Sequence, residues 1–421
     1  MRRTLLSGLL VAIIAAGVLV QSRAAVAQLP SRVAAVLDEH LYAGRLDAGE
    51  RALRAILAAE PGNGEAQFAL GGVLLLRAVE RFGQSLYRHG LQAPRNGFLP
   101  LFGLPLAFNP NPEALTYDGF RMMFTVLVRD LDAADAELAR VGEGPMKLSV
   151  DLARIRLDLD ANGVADARET LTALIGGLAL APQPRGTAPP AAGSLPVGFD
   201  LADVTWMRGY ANLMAASAEF FLAHDFRATF DATFHMFFPR AGLPFSRLFA
   251  EPTVPPGRGN ELGSIFDFVA FIHLVRWDVA EPARMVSVHT RLKSVIGLNR
   301  KTWAAVRAET DDDNEWLPGP HQKGALGLPV TEEMITSWLA ALDELEVVLD
   351  GRKLVPHPRF VRGINVKRVL TEPRQFDLVL WFTGHGVLPY LEDGPVADGR
   401  AWAQAQQVFR GQFLAYAFWF N

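Results

Sequence analysis

The run of oxygen-donor side chains between residues 158 and 169, "DLDANGVADARE", is the part of the chain whose spacing most clearly indicates chemistry. Its donors are Asp158, Asp160, Asn162, Asp166 and Glu169. A hard cation such as Ca²⁺ prefers about six to eight oxygen ligands in a flexible shell, and a loop that coils around an ion directs alternate side chains inward. The pattern therefore predicts a cation site, with a solvated acidic turn as the alternative.

These residues resemble the calcium-binding loop of the EF-hand family, since they match D-x-[DN]-x-[DN]-G-x5-E in full. Gly163 stands where that loop turns sharply and a side chain would be in the way. The resemblance implies a ligand set of Asp158, Asp160, Asn162, the backbone carbonyl of Val164, Asp166, and both carboxylate oxygens of Glu169. It implies Ca²⁺ as the ion, and four carboxylates would also suit a trivalent lanthanide.

An EF-hand loop lies between two helices, and the flanking apolar residues predict both. The incoming helix would start near Met146, and the outgoing helix would follow through "ETLTALIGGLAL". Ala165 occupies the position where the family usually has a branched aliphatic residue that pairs with a second hand. Because the sequence has no second loop of this pattern, we expect an isolated hand with a mainly structural ion.

The segment from about residue 41 to residue 91 has apolar positions at helical spacings of three and four. It resembles one and a half tetratricopeptide repeats, carried by Gly44, Leu46, Leu53, Leu57, Pro61, Ala66, Leu70, Gly71, Gly83, Tyr87 and Leu91. The resemblance implies a helical hairpin scaffold that binds a partner. Ordinary amphipathic helices rich in Ala and Leu are the alternative.

The first 27 residues have the organisation of a secretory signal. Arg2 and Arg3 precede an apolar run from Leu5 to Val20, and "AVA" ends at Ala27. This order predicts cleavage after Ala27 and a periplasmic or secreted protein. An uncleaved anchor is the alternative, and both the general secretory route and the twin-arginine route stay open.

Composition limits the classes of partner and reaction. Without residues 1–27 the chain has 38 basic and 45 acidic residues, a net charge near −7, and no basic stripe. We therefore expect no nucleic-acid partner, and no membrane association after signal cleavage. The chain has no cysteine, which excludes thiol catalysis, iron–sulfur clusters and thiolate zinc sites.

The periodicity predicts a mainly α protein. We expect a helical domain over residues 28–180, a Pro/Gly-rich linker over 181–198 and an aromatic-rich helical domain over 199–421. Individual helices are predicted near 118–141, 261–280, 300–310, 332–349 (with Thr331 as N-cap) and 399–418. The segment "QFDLVLWF" is compatible with a strand or a buried helix.

The second half contains weaker candidate sites. "ETDDDNEW", residues 309 to 316, is interpreted as a solvated acidic loop or as a second metal or sugar site. Nearby tryptophans, Trp303, Trp316 and Trp338, suit either a sugar platform or core packing. One predicted helix holds His224, Asp225, Asp231 and His235, and a glycine-flanked loop holds His385.

The whole sequence favours an exported, calcium-binding helical scaffold or binding protein, with a protein or a carbohydrate as its further ligand. The alternative is a hydrolase or carbohydrate-processing enzyme whose site lies in the second domain. Its candidate residues are Asp225, His235, Asp313, Glu315 and His385. Fingerprints of serine hydrolases, zinc proteases, P-loop enzymes and dinucleotide-binding enzymes do not occur, so no reaction is favoured.

Overall fold

The structure is a computed structural model that describes residues 31–92, 104, 106–177, 193–244 and 260–421. The predicted signal segment and residues 181–192 of the predicted linker lie outside these ranges. None of the helices in the described ranges is long and apolar enough to cross a bilayer.

The N-terminal part consists of three helices. Helix α1, Arg32–Val36, continues as a π-helical turn, Leu37–Leu41, and is followed by α2, Leu46–Ala59, and α3, Gly64–Arg88. Asn63 caps α3, because its side chain accepts a hydrogen bond from the Ala66 backbone. The second predicted tetratricopeptide unit coincides with one continuous helix instead of a hairpin, and the resemblance itself stays a prediction.

Three longer helices carry the centre of the molecule, and the mainly α prediction is confirmed. They are α4, Tyr117–Leu138, α6, Leu201–Ala223, and α9, Pro282–Ala308. α3 packs on α4, α4 packs on α6, and α6 packs on α9. Small residues bring neighbours close: a Cβ atom at Gly71 of α3 would lie only 2.5 Å from side-chain atoms of Leu138.

The predicted incoming helix before the acidic loop is wrong. Residues Leu148–Asp151 form strand β1, which pairs antiparallel with β2, Pro196–Phe199. Leu148 and Val150 are buried, whereas Ser149 between them is exposed, so the burial period is that of a strand. Short apolar stretches fit both periods, and pairing with β2 selected the strand. The last residues of the predicted linker are therefore in regular structure.

Shorter elements complete the fold. The helices are α5, Leu171–Gly177, α7, Arg227–Thr233, α8, Asn260–Leu274, α10, Glu332–Leu349, α11, Val366–Thr371, α12, Leu378–Thr383, α13, Arg400–Val408, and α14, Phe413–Phe420. The strands are β3, His224–Asp225, β4, Arg276–Val279, and β6, Phe376–Asp377, in one sheet, and β5, Gly363–Ile364, with β7, Leu391–Glu392, in another.

The chain from Thr331 onward agrees with the sequence predictions at one helix start and differs from them at two other segments. Thr331 caps α10 as predicted, with its hydroxyl oxygen accepting a hydrogen bond from the Met334 backbone at 3.2 Å. The single helix predicted at 399–418 is two helices, separated by positive φ angles at Arg410 and Gly411. "QFDLVLWF" is neither a long strand nor a buried helix, since β6 passes directly into α12 and no residue of α12 is buried.

One hydrophobic core runs from Val33 in α1 to Phe420 in α14. It includes side chains from both sides of the predicted domain boundary, such as Leu131 of α4 and Ala215 of α6. The predicted division into domains stays a prediction, but the described residues share a continuous core across it.

Candidate metal centre

The acidic loop is closed at its base by a short antiparallel ladder. Arg156 pairs with Thr170, and the Leu157 backbone donates to the Glu169 carbonyl at 2.9 Å. The Leu171 backbone donates to the Ile155 carbonyl at 3.0 Å, where the outgoing helix α5 begins. Both ends of the loop are thereby fixed beside each other by backbone bonds, although only the outgoing end is helical.

The loop turns because two of its residues have positive φ, Ala161 at 58° and Gly163 at 85°. The Asp158 carboxylate accepts from the backbones of Asn162, at 3.1 Å, and Gly163, at 2.9 Å. Asp160 also accepts from the Asn162 backbone at 3.1 Å. Because backbone donors inside the turn bind these carboxylates, both side chains are held towards its interior.

Three carboxylates meet in the loop. Asp158, Asp160 and Glu169 each offer an oxygen, and these atoms all lie within 4.8 Å of one another. Oxygen ligands lie about 2.3–2.6 Å from Ca²⁺, so two ligands on opposite sides of one ion are about 4.6–5.2 Å apart. The spacing of the three groups therefore fits coordination of a single ion of this size.

Glu169 is the most buried of the three side chains, with 8% of its surface exposed. Its two carboxylate oxygens accept from the backbones of Leu159, at 2.9 Å, and Asp166, at 2.8 Å. Burial raises the pKa of Glu169 above its ordinary value, and the negative charges of Asp160 and Asp166 raise it further. A cation in the loop would favour the ionised form of Glu169 by opposing both effects.

The remaining predicted ligands lie in the same loop but outside this group of three carboxylates. Asp166 pairs with Arg168 at 2.7 Å, and this partner lowers the Asp166 pKa. The corresponding ligand of an EF-hand often acts through a water molecule. Asn162 accepts a hydrogen bond from the Val164 backbone at 2.7 Å, and the Val164 side chain is exposed.

Two side chains of helix α3 form hydrogen bonds with the backbone at the start of the loop. The buried Glu80 carboxylate accepts from the Asp158 backbone at 2.9 Å, and the Gln84 amide donates to the Asp158 carbonyl at 2.7 Å. Burial, with a contribution from the Asp158 charge, raises the pKa of Glu80 to about 7. Sequence reasoning missed both residues, because contacts from 78 and 74 positions away leave no local pattern.

Two glycines, Gly44 in the turn between α1 and α2 and Gly83 in α3, allow the loop to approach the N-terminal helices. A Cβ atom at Gly44 would lie 2.3 Å from the Cβ of Ala165, and one at Gly83 would lie 2.8 Å from a methyl group of Leu159. Ala165 is buried. Ala165, which the EF-hand resemblance would place against a second hand, lies against the turn between α1 and α2.

The chain matches no protein-family model. Comparison with curated proteins and with solved structures also finds no match. The interpretation of the loop depends on its own geometry and chemistry.

A second group of carboxyl side chains lies where α6 begins and α9 ends. Asp200, the N-cap of α6, approaches Glu309 and Glu315 with oxygens within 4.8 Å of one another. Burial raises the pKa of all three groups, and that of Glu309 to about 7. The negative charge of Asp200 adds to the effect of burial on Glu309, so the pair favours a protonated carboxyl group on Glu309.

Asp203, three residues after Asp200, is almost fully buried beside this group. Burial raises its pKa well above the ordinary range, and its carboxyl oxygen accepts from the Asp200 backbone at 2.9 Å. D-x-x-D before an apolar run indicates a capping box, which sequence reasoning could have found. The group is a cluster of carboxyls at a helix start whose pKa values are raised by burial.

The segment 309–316 thus divides into two environments. Asp311 and Asp313 are exposed and both pair with Lys147, whereas Glu315 is buried. The segment is not uniformly solvated. The three tryptophans considered as a sugar platform, Trp303, Trp316 and Trp338, are all buried in the core.

The other candidates do not form a site within the described residues. Asp225 accepts from the Tyr117 hydroxyl at 2.8 Å, His235 contacts Asp267 at 3.1 Å, and His385 is exposed. None of these three candidates belongs to a group of three or more neighbouring acidic or imidazole ligands. The single helix predicted to hold His224, Asp225, Asp231 and His235 is interrupted, because His224 and Asp225 form β3 and Asp231 lies in the separate helix α7.

Proposed function

We propose that the protein is an exported calcium-binding helical protein that acts as a scaffold or binding protein. In this proposal Ca²⁺ occupies the loop 158–169 and is mainly structural. The observation that carries it is the meeting of Asp158, Asp160 and Glu169 within 4.8 Å, in a loop whose sequence matches the EF-hand pattern in full.

Electrostatics supports a divalent ion in this loop. Like charges within a few ångströms repel one another, most strongly where Glu169 is buried. An ion bound between the carboxylates would convert this repulsion into attraction. Ca²⁺ is favoured over Mg²⁺, because Mg²⁺ is smaller, requires near-octahedral geometry and loses its water reluctantly.

The surroundings of the loop support a structural role rather than a signalling one. Glu80 and Gln84 hold its start, and Ala165 contacts Gly44, where a paired hand would have its partner. Binding would therefore fasten the N-terminal helices to the segment between β1 and α5. Such a role suits a scaffold whose helices present a surface to a protein or carbohydrate ligand.

Export is part of the proposal and is supported by the signal-like residues 1–27. Outside the cytoplasm Ca²⁺ is abundant, and extracellular calcium modules have dissociation constants of roughly 10⁻⁴ to 10⁻³ M. A weak structural site would be filled under such conditions. No observation on the described residues favours the hydrolase alternative.

The test is a thermal melt of the mature chain in chelator, with Ca²⁺, Mg²⁺ or La³⁺ then added back. Ligands that bind only the folded state raise its melting temperature. We expect a rise with Ca²⁺ and with micromolar La³⁺ but not with Mg²⁺, and loss of this rise in Glu169→Gln.

Glu309→Gln is the matched control, because it makes the same chemical change in the second carboxyl group. It should retain the rise with Ca²⁺. If Glu309→Gln loses the rise and Glu169→Gln keeps it, the ion binds at the start of α6 and the proposed site is wrong. Absence of any rise in the unaltered chain would refute the calcium proposal.

A further inference from the structure

A cavity of about 240 Å³ lies among helices α4, α6, α7 and α8 and strands β4 and β6. Aromatic and aliphatic side chains form its wall, among them Phe120, Phe226, Phe234, Phe271, Val275 and Trp277. The wall exposes only apolar surface to the interior. A molecule inside would contact apolar side-chain atoms of all the lining residues that the structure describes.

The two polar groups of the described wall are already satisfied. The Trp277 indole N–H donates to the Thr229 hydroxyl at 2.8 Å, and that hydroxyl donates to the Leu274 carbonyl at 2.6 Å. A charged or strongly polar ligand would lose its bonds to water without gaining partners from these groups. The wall chemistry therefore selects uncharged, apolar molecules.

Rigid ring packing explains why the cavity does not collapse. The rings of Phe120 and Phe234 pack edge to face with their centroids 4.9 Å apart. The ring centroids of Phe226 and Trp277 are 5.7 Å apart. Rings in such contacts support one another and have few rotamers with which to fill a void.

The cavity is large enough for a small organic molecule. Protein interiors contain few voids larger than a water molecule, and a void costs stability in proportion to its volume. An apolar cavity of about 150 Å³ stays dry and binds benzene. A cavity of about 240 Å³ has room for a larger ring system.

We propose that this cavity is a binding site for a small uncharged aromatic hydrocarbon, of the size of two fused rings. None of the described residues of its wall belongs to the acidic loop, so the proposal does not depend on the ion site. Binding measured in chelator and binding measured in Ca²⁺ keep the two proposals separate.

A second apolar surface has to be distinguished from the cavity. Ile265, Phe266 and Val269 on α8 expose about half or more of their surface. Hydrocarbons could adsorb there without entering the protein. The experiment therefore needs variants that change one surface and leave the other intact.

The test measures naphthalene binding by the rise of the melting temperature and by calorimetric titration of the full mature chain. Val275→Phe places a ring in the cavity, and Val269→Phe makes the same change on the exposed face of α8. We expect binding to weaken at least tenfold in Val275→Phe and to be unchanged in Val269→Phe. Toluene should bind more weakly than naphthalene in the unaltered chain, because it fills less of the cavity.

A second variant keeps the test decisive if Val275→Phe fails to fold. Phe226→Leu enlarges the cavity, so the preference should move towards a three-ring hydrocarbon. The proposal is overturned if naphthalene does not bind, if it binds folded Val275→Phe as before, or if Val269→Phe abolishes binding. An unchanged size preference in Phe226→Leu would also overturn it.

Discussion

At the residue scale, the carboxylates of the loop have two tasks. Glu169 accepts two backbone hydrogen bonds, yet each of its oxygens has a second lone pair for a cation. Asp158 does the same with the backbones of Asn162 and Gly163. The same side chains can therefore shape the loop and bind the ion.

Glu169→Gln should weaken Ca²⁺ binding by roughly tenfold or more, equivalent to about 1.4 kcal/mol. The substitution removes the charge and one of the two acceptor oxygens while keeping the shape of the side chain. Isothermal titration of chelator-treated protein measures the change. Asp166→Asn, outside the group of three carboxylates, should have a smaller effect, and equal losses would argue against the central place of Glu169.

Gly44→Ala should destabilise the fold by roughly 2–3 kcal/mol, from overpacking and a left-handed backbone. The new methyl group would clash with the Cβ of Ala165, at a residue whose φ is +68°. Chemical denaturation of the calcium-loaded protein measures the loss. Gly62→Ala is the control, because its Cβ would meet nothing within 4 Å, and a similar loss there would contradict the argument from contact.

At the element scale, two helix ends converge on carboxyl groups that are half-buried or buried. Asp200 and Asp203 begin α6, and Glu309 follows the end of α9. A negative charge is favourable at a helix start and unfavourable at a helix end. The end of α9 therefore favours the protonated form of Glu309, in the same direction as burial and the Asp200 charge, which raise the pKa of Glu309.

This arrangement predicts a pH dependence of stability. The Glu309 pKa is 4.5 when unperturbed and about 7 in the fold, so between these pH values the folded chain binds a proton that the unfolded chain has released. Its contribution is greatest below about 4.5 and is lost as the pH rises to about 7. The melting temperature, measured in chelator, should therefore fall over this range by several degrees.

Glu309→Gln should make that decline shallower, because the amide cannot release a proton, and Glu80, whose pKa is also about 7, should account for part of the decline that stays. Glu143→Gln, at an exposed position, is the control and should follow the unaltered chain. Parallel curves for Glu309→Gln and the unaltered chain would show that the pH dependence has another source.

At the scale of the whole molecule, the loop and the aromatic second half belong to one packed body. The core is continuous from α1 to α14, and α6 contacts both α4 and α9. An ion that stabilises the loop should therefore also raise the melting temperature of helices far along the chain.

The distribution of tryptophan provides a direct measurement. All eight tryptophans follow residue 200, whereas the loop ends at Glu169. We expect Ca²⁺ to raise the melting temperature followed by tryptophan fluorescence as much as that followed by circular dichroism. If only the circular dichroism transition moved, the parts before and after residues 181–198 would unfold independently.

The sequence by itself determined the helical class, the N-cap at Thr331 and the residues of the acidic loop. These depend on local periodicity, on capping chemistry and on donors within twelve successive positions. Each is a short-range property, so neighbouring residues are sufficient to predict it.

Only the tertiary structure decided what surrounds those residues. Strand β1 exists because β2 pairs with it, and Glu80 meets Asp158 because α3 passes behind the loop. The carboxyl groups of Asp200 and Glu309 lie close together although these residues are 109 positions apart in the sequence. The wall of the aromatic cavity combines residues from four helices. Such contacts depend on which distant segments bury surface together, and that choice is made by the packing of the whole chain.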